Sequence, residues 1–239
     1  TTRTFDGGAN YTYNGTAAQV TGNGLPGALT GNLTIANGIG TGVTLSQSTA
    51  ITSPGACVVN SGALLTMGAA INLTGTGTFT VSSGGTLAIA STAGITSSGA
   101  TGNIQTTTRN FGTGANYTYN GTAAQVTGTG LPATVNNLTI SNTAAGTAAV
   151  TLSSGVTVNG TFALTDGAFS IGANVLTMNN GVTVGAGSLT GGATSDIVFG
   201  DAGSAEAKAE LEVIQPGNVR GDALVGQPLG QVFVVPPES

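Results

Sequence analysis

From Val150 the chain reads VTL, SSG, VTV, NG, TFAL, TDG, AFSI, GAN, VLTM, NNG, VTV, GAG. Short apolar runs alternate with Thr, and each run ends at Gly, Asn, Ser or Asp. The first half has the same rhythm: LLTM, GAA, INL, TGTG, TFTV, SSGG, TLAI. Triplets such as Val156-Thr157-Val158 and Ile71-Asn72-Leu73 have period two, so one side chain points inward and the next outward. Before residue 200 no window sustains an apolar 3.6-residue period, and the pattern predicts strands and tight turns without a helix.

A longer period lies over this rhythm. The fourteen residues ANYTYNGTAAQVTG begin at Ala9 and recur, letter for letter, at Ala115, an offset of 106. Leu25-Pro26 matches Leu131-Pro132 at that offset, while the two NLTI and the two VTLS phrases slip by one residue, as loops between fixed strands allow. Two architectures produce such a chain. One is a pair of β-sandwich domains of roughly 100 residues each. The other is a parallel β-solenoid whose coils of about 20 residues stack on one another. The solenoid is favoured by strands shorter than sandwich strands, by a scarcity of large residues to fill a sandwich core, and by closely spaced Gly or Asn corners. The expected fold is therefore all-β: a right-handed parallel β-helix of about nine to ten short coils, followed by a C-terminal non-solenoid strand segment. Its expected divisions are a first long repeat over 1–105, a second over 106–195 continuous with the first, and a charged segment over 196–239.

Charge sharpens that last boundary. The chain has 4 Lys+Arg, 9 Asp+Glu and no His, and only Arg3, Asp6, Arg109 and Asp166 lie before residue 196. So few cations exclude a nucleic-acid footprint. No apolar window is long enough for a membrane-spanning helix, so no membrane insertion is expected. The chain opens directly in repeat-like sequence and reads as a mature chain or a piece of a longer one. The segment AGSAEAKAELEVIQPGN suits either a short helix capped at Ser204 or an edge strand, with the strand preferred. GQVFVVPPES supplies one more strand. Cys57 stands alone in an apolar run with no cation nearby in sequence, and reads as a small buried hydrophobe.

The stretch YTYNGTAAQVTGTGLPATVNNLTISN, followed by VTLSSGVTVNGTFALTDGAFSIGANVLTM, resembles secreted repetitive β-helix surface proteins of Bacteroidetes type, akin to filamentous-haemagglutinin-like adhesins. The resemblance covers about residues 5 to 192. The tail QPGNVRGDALVGQPLGQVFVV resembles the first strand of an invasin-type bacterial immunoglobulin-like module. Together these imply an extracellular or cell-surface β-helical stalk, with no catalytic residues to carry over.

The residues themselves offer little chemistry. Without His there is no Ser-His-Asp arrangement. Asp6 and Asp166, the only carboxylates before residue 196, lie on different repeats, whereas glycoside hydrolysis needs a close pair. No phosphate loop, metal-ligand spacing or calcium-binding repeat occurs, so no enzyme activity, metal or cofactor is expected. Tyr11 with Tyr13, and Tyr117 with Tyr119, each share one face of a strand. Facing outward, they are candidate glycan contacts. Facing inward, they seal a coil, each hydroxyl reaching a partner. Outward Thr rows admit a minor alternative, an ice-binding solenoid, although the T-x-T spacing is irregular. Asn-x-Thr sequons at Asn10, Asn32, Asn137 and elsewhere follow from Asn at corners and Thr on strands. A solenoid's open ends carry unpaired edges. Self-association is therefore expected, end to end or by strand addition, with Val232, Phe233, Val234 and Val235 as the candidate assembly strand. The function expected is a structural rod, an adhesin stalk or self-assembling fibre subunit, with a glycan-binding module as the alternative.

Overall fold

The computed structural model describes Arg3 and residues 5–38, 42–146, 149–192 and 194–200. These form a parallel β-solenoid. The first coil contains β1 (Tyr11–Tyr13), β2 (Gln19–Val20) and β3 (Ala28–Leu29), and the second β4 (Leu33–Ile35), β5 (Val43–Leu45) and β6 (Thr49–Ile51). The third contains β7 (Ala56–Val59), β8 (Leu64–Met67) and β9 (Leu73–Thr74); the fourth, β10 (Thr78–Val81) and β11 (Thr86–Ile89). The fifth contains β12 (Thr108–Phe111), β13 (Asn116–Tyr119) and β14 (Gln125–Val126), and the sixth β15 (Thr134–Val135), β16 (Leu138–Ser141) and β17 (Val150–Thr151). The seventh contains β18 (Val156–Val158), β19 (Phe162–Asp166) and β20 (Ala168–Ser170). The eighth contains β21 (Val175–Met178), β22 (Val182–Val184) and β23 (Ser188–Thr190), and β24 (Asp196–Phe199) opens a ninth.

Every strand pairs in parallel with the strand one coil away. One sheet, β2-β5-β8-β11-β13-β16-β19-β22, runs the whole length with one strand per turn. Its eight strands give eight turns, fewer than the nine or ten expected from 20-residue coils. The coils are longer than that: partners such as Tyr11 and Leu33 are 22 residues apart, and Phe79 and Arg109 are 30 apart. The long fourth coil makes an excursion on the third face. There Ile104 bridges back to Leu73, while Ile95 donates forward to the Thr127 carbonyl. The strand ladder crosses residues 195/196. β24 pairs with β21 over Val175↔Asp196 to Met178↔Phe199, so the ladder continues through the start of the charged segment. One exposed Asp on an outward position does not break a ladder whose inward residue, Ile197, is buried.

Period-two alternation builds the core. In the long sheet the inward positions stack in register as Val43, Leu65, Leu87, Tyr117, Leu138, Phe162 and Val182, all buried. The outward positions between them include Thr44, Thr66, Thr118, Thr139 and Thr183. β-Branched Thr fits a pleated outer face, and a column of Val, Leu, Phe and one Tyr fills the interior. Corners are stacked as well. Ala63, Gly85 and Ala115 each close a turn on the carbonyl three residues back, at Asn60, Ser82 and Gly112. Gly62 and Gly84 occupy the left-handed region at φ 76°, and the Gly62 N–H donates to the Gly84 carbonyl, so the turns ladder like the strands. Asn side chains join neighbouring corners: Asn32 Oδ1 accepts the Ala56 N–H and Asn137 Oδ1 the Thr161 N–H, each in the next coil. The sequon pattern is thus a corner pattern.

Candidate functional site

The repeated phrase begins on β1 in one copy and on β13 in the other. These strands belong to different sheets. Eleven named strands lie between them, and the Ile104 bridge supplies a twelfth position, so the second is thirteen steps on from the first. With three positions per turn, thirteen steps are four turns and one face. The second copy therefore sits one face round the prism from the first, and the two Tyr pairs do not share a surface.

Each copy builds the same clamp. The Tyr11 hydroxyl donates to the Asp6 carbonyl at 2.6 Å, and the Tyr117 hydroxyl to that of Gly112, the equivalent position, at 2.8 Å. Tyr13 donates to the Thr21 carbonyl at 3.1 Å, and Tyr119 to Thr127 at 2.7 Å. The Asn-Gly corner follows. The N–H of Gly15 donates to Gln19 Oε1 at 2.8 Å, and that of Gly121 to Gln125 Oε1 at 2.9 Å. The approach is close: a Cβ on Gly121 would lie 2.6 Å from Gln125 Oε1, so a larger residue would push the Gln125 amide out of place. An Asn one coil on completes the clamp. Asn37 Nδ2 reaches the Ala17 carbonyl and Gln19 Oε1, and Asn142 Nδ2 reaches the Ala123 carbonyl and Gln125 Oε1. Every side chain in the network bonds a backbone group at a fixed position. In the second copy, where Gly121, Tyr119 and Gln125 are buried, a substitution in the network strands a buried polar partner.

The four Tyr residues thus point inward. Tyr117 is 1% exposed and Tyr119 fully buried. A buried ring has no face to offer a sugar, so as glycan contacts these two positions are corrected to core plugs. Tyr11 and Tyr13 are half-buried and packed against the core cluster. Burial pushes the Tyr117 phenol well above its usual range, and the Tyr119 phenol too, with the neighbouring Tyr117 adding to the effect. Burial also pushes the Cys57 thiol up to about 12. The candidate assembly strand, Val232 to Val235, lies outside the described residues, as does the choice between helix and strand after Gly200.

Reading the sequence alone misses three residues. Gln19 and Gln125 carry the corner, and their signal was their place inside the exact repeat. Arg109 aligns with Phe79 in an otherwise inward apolar column. Its Nε donates to the Thr106 carbonyl at 2.8 Å, its Nη1 to Thr96 Oγ1 at 2.7 Å and to the Thr96 carbonyl at 2.9 Å, and its Nη2 to the Gly99 carbonyl. It pins the fourth-coil excursion, and nothing in the local sequence marks that role. Among the described residues no group of three or more His, Cys, Asp or Glu is placed to hold a metal ion, and no helix is long and apolar enough to cross a membrane. Asp6 and Asp166 each accept from a backbone N–H within two residues, on different coils. The chain matches no protein-family model, no curated protein and no solved structure.

Proposed function

We propose that this chain is a structural extracellular protein, a rod that serves as an adhesin stalk or as a subunit of a surface fibre. The observation that carries the reading is the unbroken eight-stranded parallel sheet through which both long repeats run. At about 4.8 Å per strand, its eight strands correspond to a rod about 38 Å long. Coils that contact only their neighbours lengthen such a rod by simple addition, which suits a spacer. The outer rows are Thr, Ala and Asn with almost no charge, and the polar groups at the corners bind backbone rather than pointing at a shared cleft. The resemblance of residues 5 to 192 to secreted repetitive surface proteins supports the extracellular setting.

The test is imaging. Negative-stain micrographs and small-angle scattering of the purified chain are expected to give elongated particles about as wide as one coil. Compact, isotropic particles would overturn the rod. A glycan array is expected to show no signal that depends on Tyr117 or Tyr119. Labelling of intact cells with a non-permeant reagent is expected to reach the parent protein.

A further inference from the structure

Asn-Gly corners carry a chemistry of their own. The glycine nitrogen, with no side chain beside it, can attack the carbonyl carbon of the asparagine side chain and expel ammonia. The chain has six such pairs, beginning at Asn14, Asn23, Asn37, Asn120, Asn159 and Asn180. The dipeptide is the same in all six, but the coils treat them differently. The N–H groups of Gly15 and Gly121 are held by Gln19 and Gln125 at 2.8 and 2.9 Å. The Gly160 N–H donates to the Asn136 carbonyl at 2.6 Å, and Asn159 Oδ1 accepts from Asn179 Nδ2 at 2.8 Å. Asn37 is buried, with its Nδ2 on the Ala17 carbonyl and Gln19 Oε1. In these four pairs the attacking nitrogen or the carboxamide is held elsewhere. Asn23 is exposed in a turn, and among the described residues nothing brings the Gly24 nitrogen onto its side chain.

Asn180 stands apart. It is exposed, at the corner that joins β21 to β22. The Gly181 N–H donates to Asn180 Oδ1 at 2.9 Å, so the nitrogen already lies against the carboxamide it would attack. Asn180 Nδ2 has no partner among the described residues, and a rotation about χ2 turns the side-chain carbon to the nitrogen without breaking any other bond. The surroundings are open: a Cβ on Gly181 would meet nothing within 4 Å. Asn179, next to it, is tied to Asn159.

We propose that Asn180 is a self-modification site of the folded chain, converted by water to aspartate and isoaspartate ahead of the other five pairs. The Gly181 nitrogen gives its proton to hydroxide and bonds to Asn180 Cγ. The Cγ–Nδ2 bond breaks, and Nδ2 takes a proton from water and leaves as ammonia. Water then opens the five-membered imide. Opening at the side-chain carbonyl gives aspartate; opening at the backbone carbonyl gives isoaspartate. Nothing is oxidised or reduced. Either product places a carboxylate on an uncharged corner. The isoaspartate also adds a methylene to the backbone just ahead of Gly181, whose carbonyl accepts the Phe162 N–H at 3.0 Å. The rung that joins β19 to β22 is therefore disturbed as the protein ages, whatever the rod is for.

The experiment follows all six pairs in the full chain. One sample is kept folded in warm, mildly alkaline buffer and another unfolded in denaturant, and both are sampled over days by peptide mapping with tandem mass spectrometry. In the folded chain Asn180 is expected to convert at least about tenfold faster than Asn14, Asn37, Asn120 and Asn159, each of which must first give up a hydrogen bond, and faster than Asn23. In the unfolded chain the six are expected to converge. Gly181→Ala fits the open corner and crowds the nitrogen, so it should leave the melting temperature unchanged and slow conversion at Asn180 by about tenfold. Conversion of folded Asn180 no faster than the four held pairs would overturn the proposal. So would an Asn23 that overtakes it, because exposure alone would then set the rate. The same ranking in denaturant, or an unslowed Gly181→Ala, would also overturn it.

Discussion

Substituting leucine for Gln125 and, separately, for Gln19 makes one change in one fourteen-residue sequence at two levels of burial. Leucine is close in size to glutamine and removes its four possible hydrogen bonds. At Gln125, itself 2% exposed, the loss strands the buried Gly121 N–H, whose acceptor is Oε1. The other three partners each keep one bond: Asn142 Nδ2 retains the Ala123 carbonyl, Ile89 O retains the Asn120 N–H, and Ser91 O retains the Gly94 N–H. An orphaned buried donor costs about 1–3 kcal/mol, and each lost second bond about half a kcal/mol, so Gln125→Leu should cost about 3–4 kcal/mol. At Gln19 only two bonds are lost, to Gly15 and Asn37, and half-buried Gly15 can turn to water. That cost should be about 1 kcal/mol. Fraying of the first coil reduces it further in the main transition. For a chain this size the difference of about 2 kcal/mol corresponds to about 4–8 °C in melting temperature. Thermal melts followed by far-UV circular dichroism measure it directly. Equal depression by the two substitutions would refute the reasoning, because it would mean that the stacked coil contributes nothing to the clamp.

The remaining predictions use other parts of the core. Because the folded chain holds the Tyr117 and Tyr119 phenols neutral, their contribution to stability is complete below the unfolded phenol range near pH 10 and is lost as pH rises above it. Melting temperature should therefore fall between about pH 10 and 11.5, and Tyr119→Phe should flatten that fall while costing about 0.5–1.5 kcal/mol at pH 8. Arg109→Gln removes the donors that hold the carbonyls of Thr96 and Gly99. Limited proteolysis should then cut within the exposed stretch Ser97–Thr101 at least several-fold faster than in the unaltered chain. Cys57, buried with its thiol pushed up to about 12, should not react with a thiol reagent at pH 8 until the chain unfolds, so the labelling rate should track denaturant. Prompt labelling under native conditions would contradict the burial.

Much of the fold was legible because a strand's in-out alternation is a local property. Val156-Thr157-Val158 reads the same alone as in place, and Gly62 and Gly84 mark corners wherever they stand. The site was less legible. The Tyr pairs left two directions open in the sequence, and only the strand that covers them decides which face is inside. Arg109 could not be read at all, since its partners Thr96 and Gly99 reach it only when the fourth coil makes its excursion.

The sequence by itself thus determined that the chain is all β, that its strands are short, that its corners are Gly and Asn, and that one phrase is used twice. The tertiary structure alone decided that this phrase recurs after four turns and one face, so identical residues stand on different sides of the rod. It also decided that the Tyr pair of the second copy is buried while that of the first is half-buried. The physical reason is that hydrogen-bond pairing and burial in a solenoid belong to the contact between coils. A sequence specifies each coil, but which neighbour lies against it is set by the number of strands in a turn.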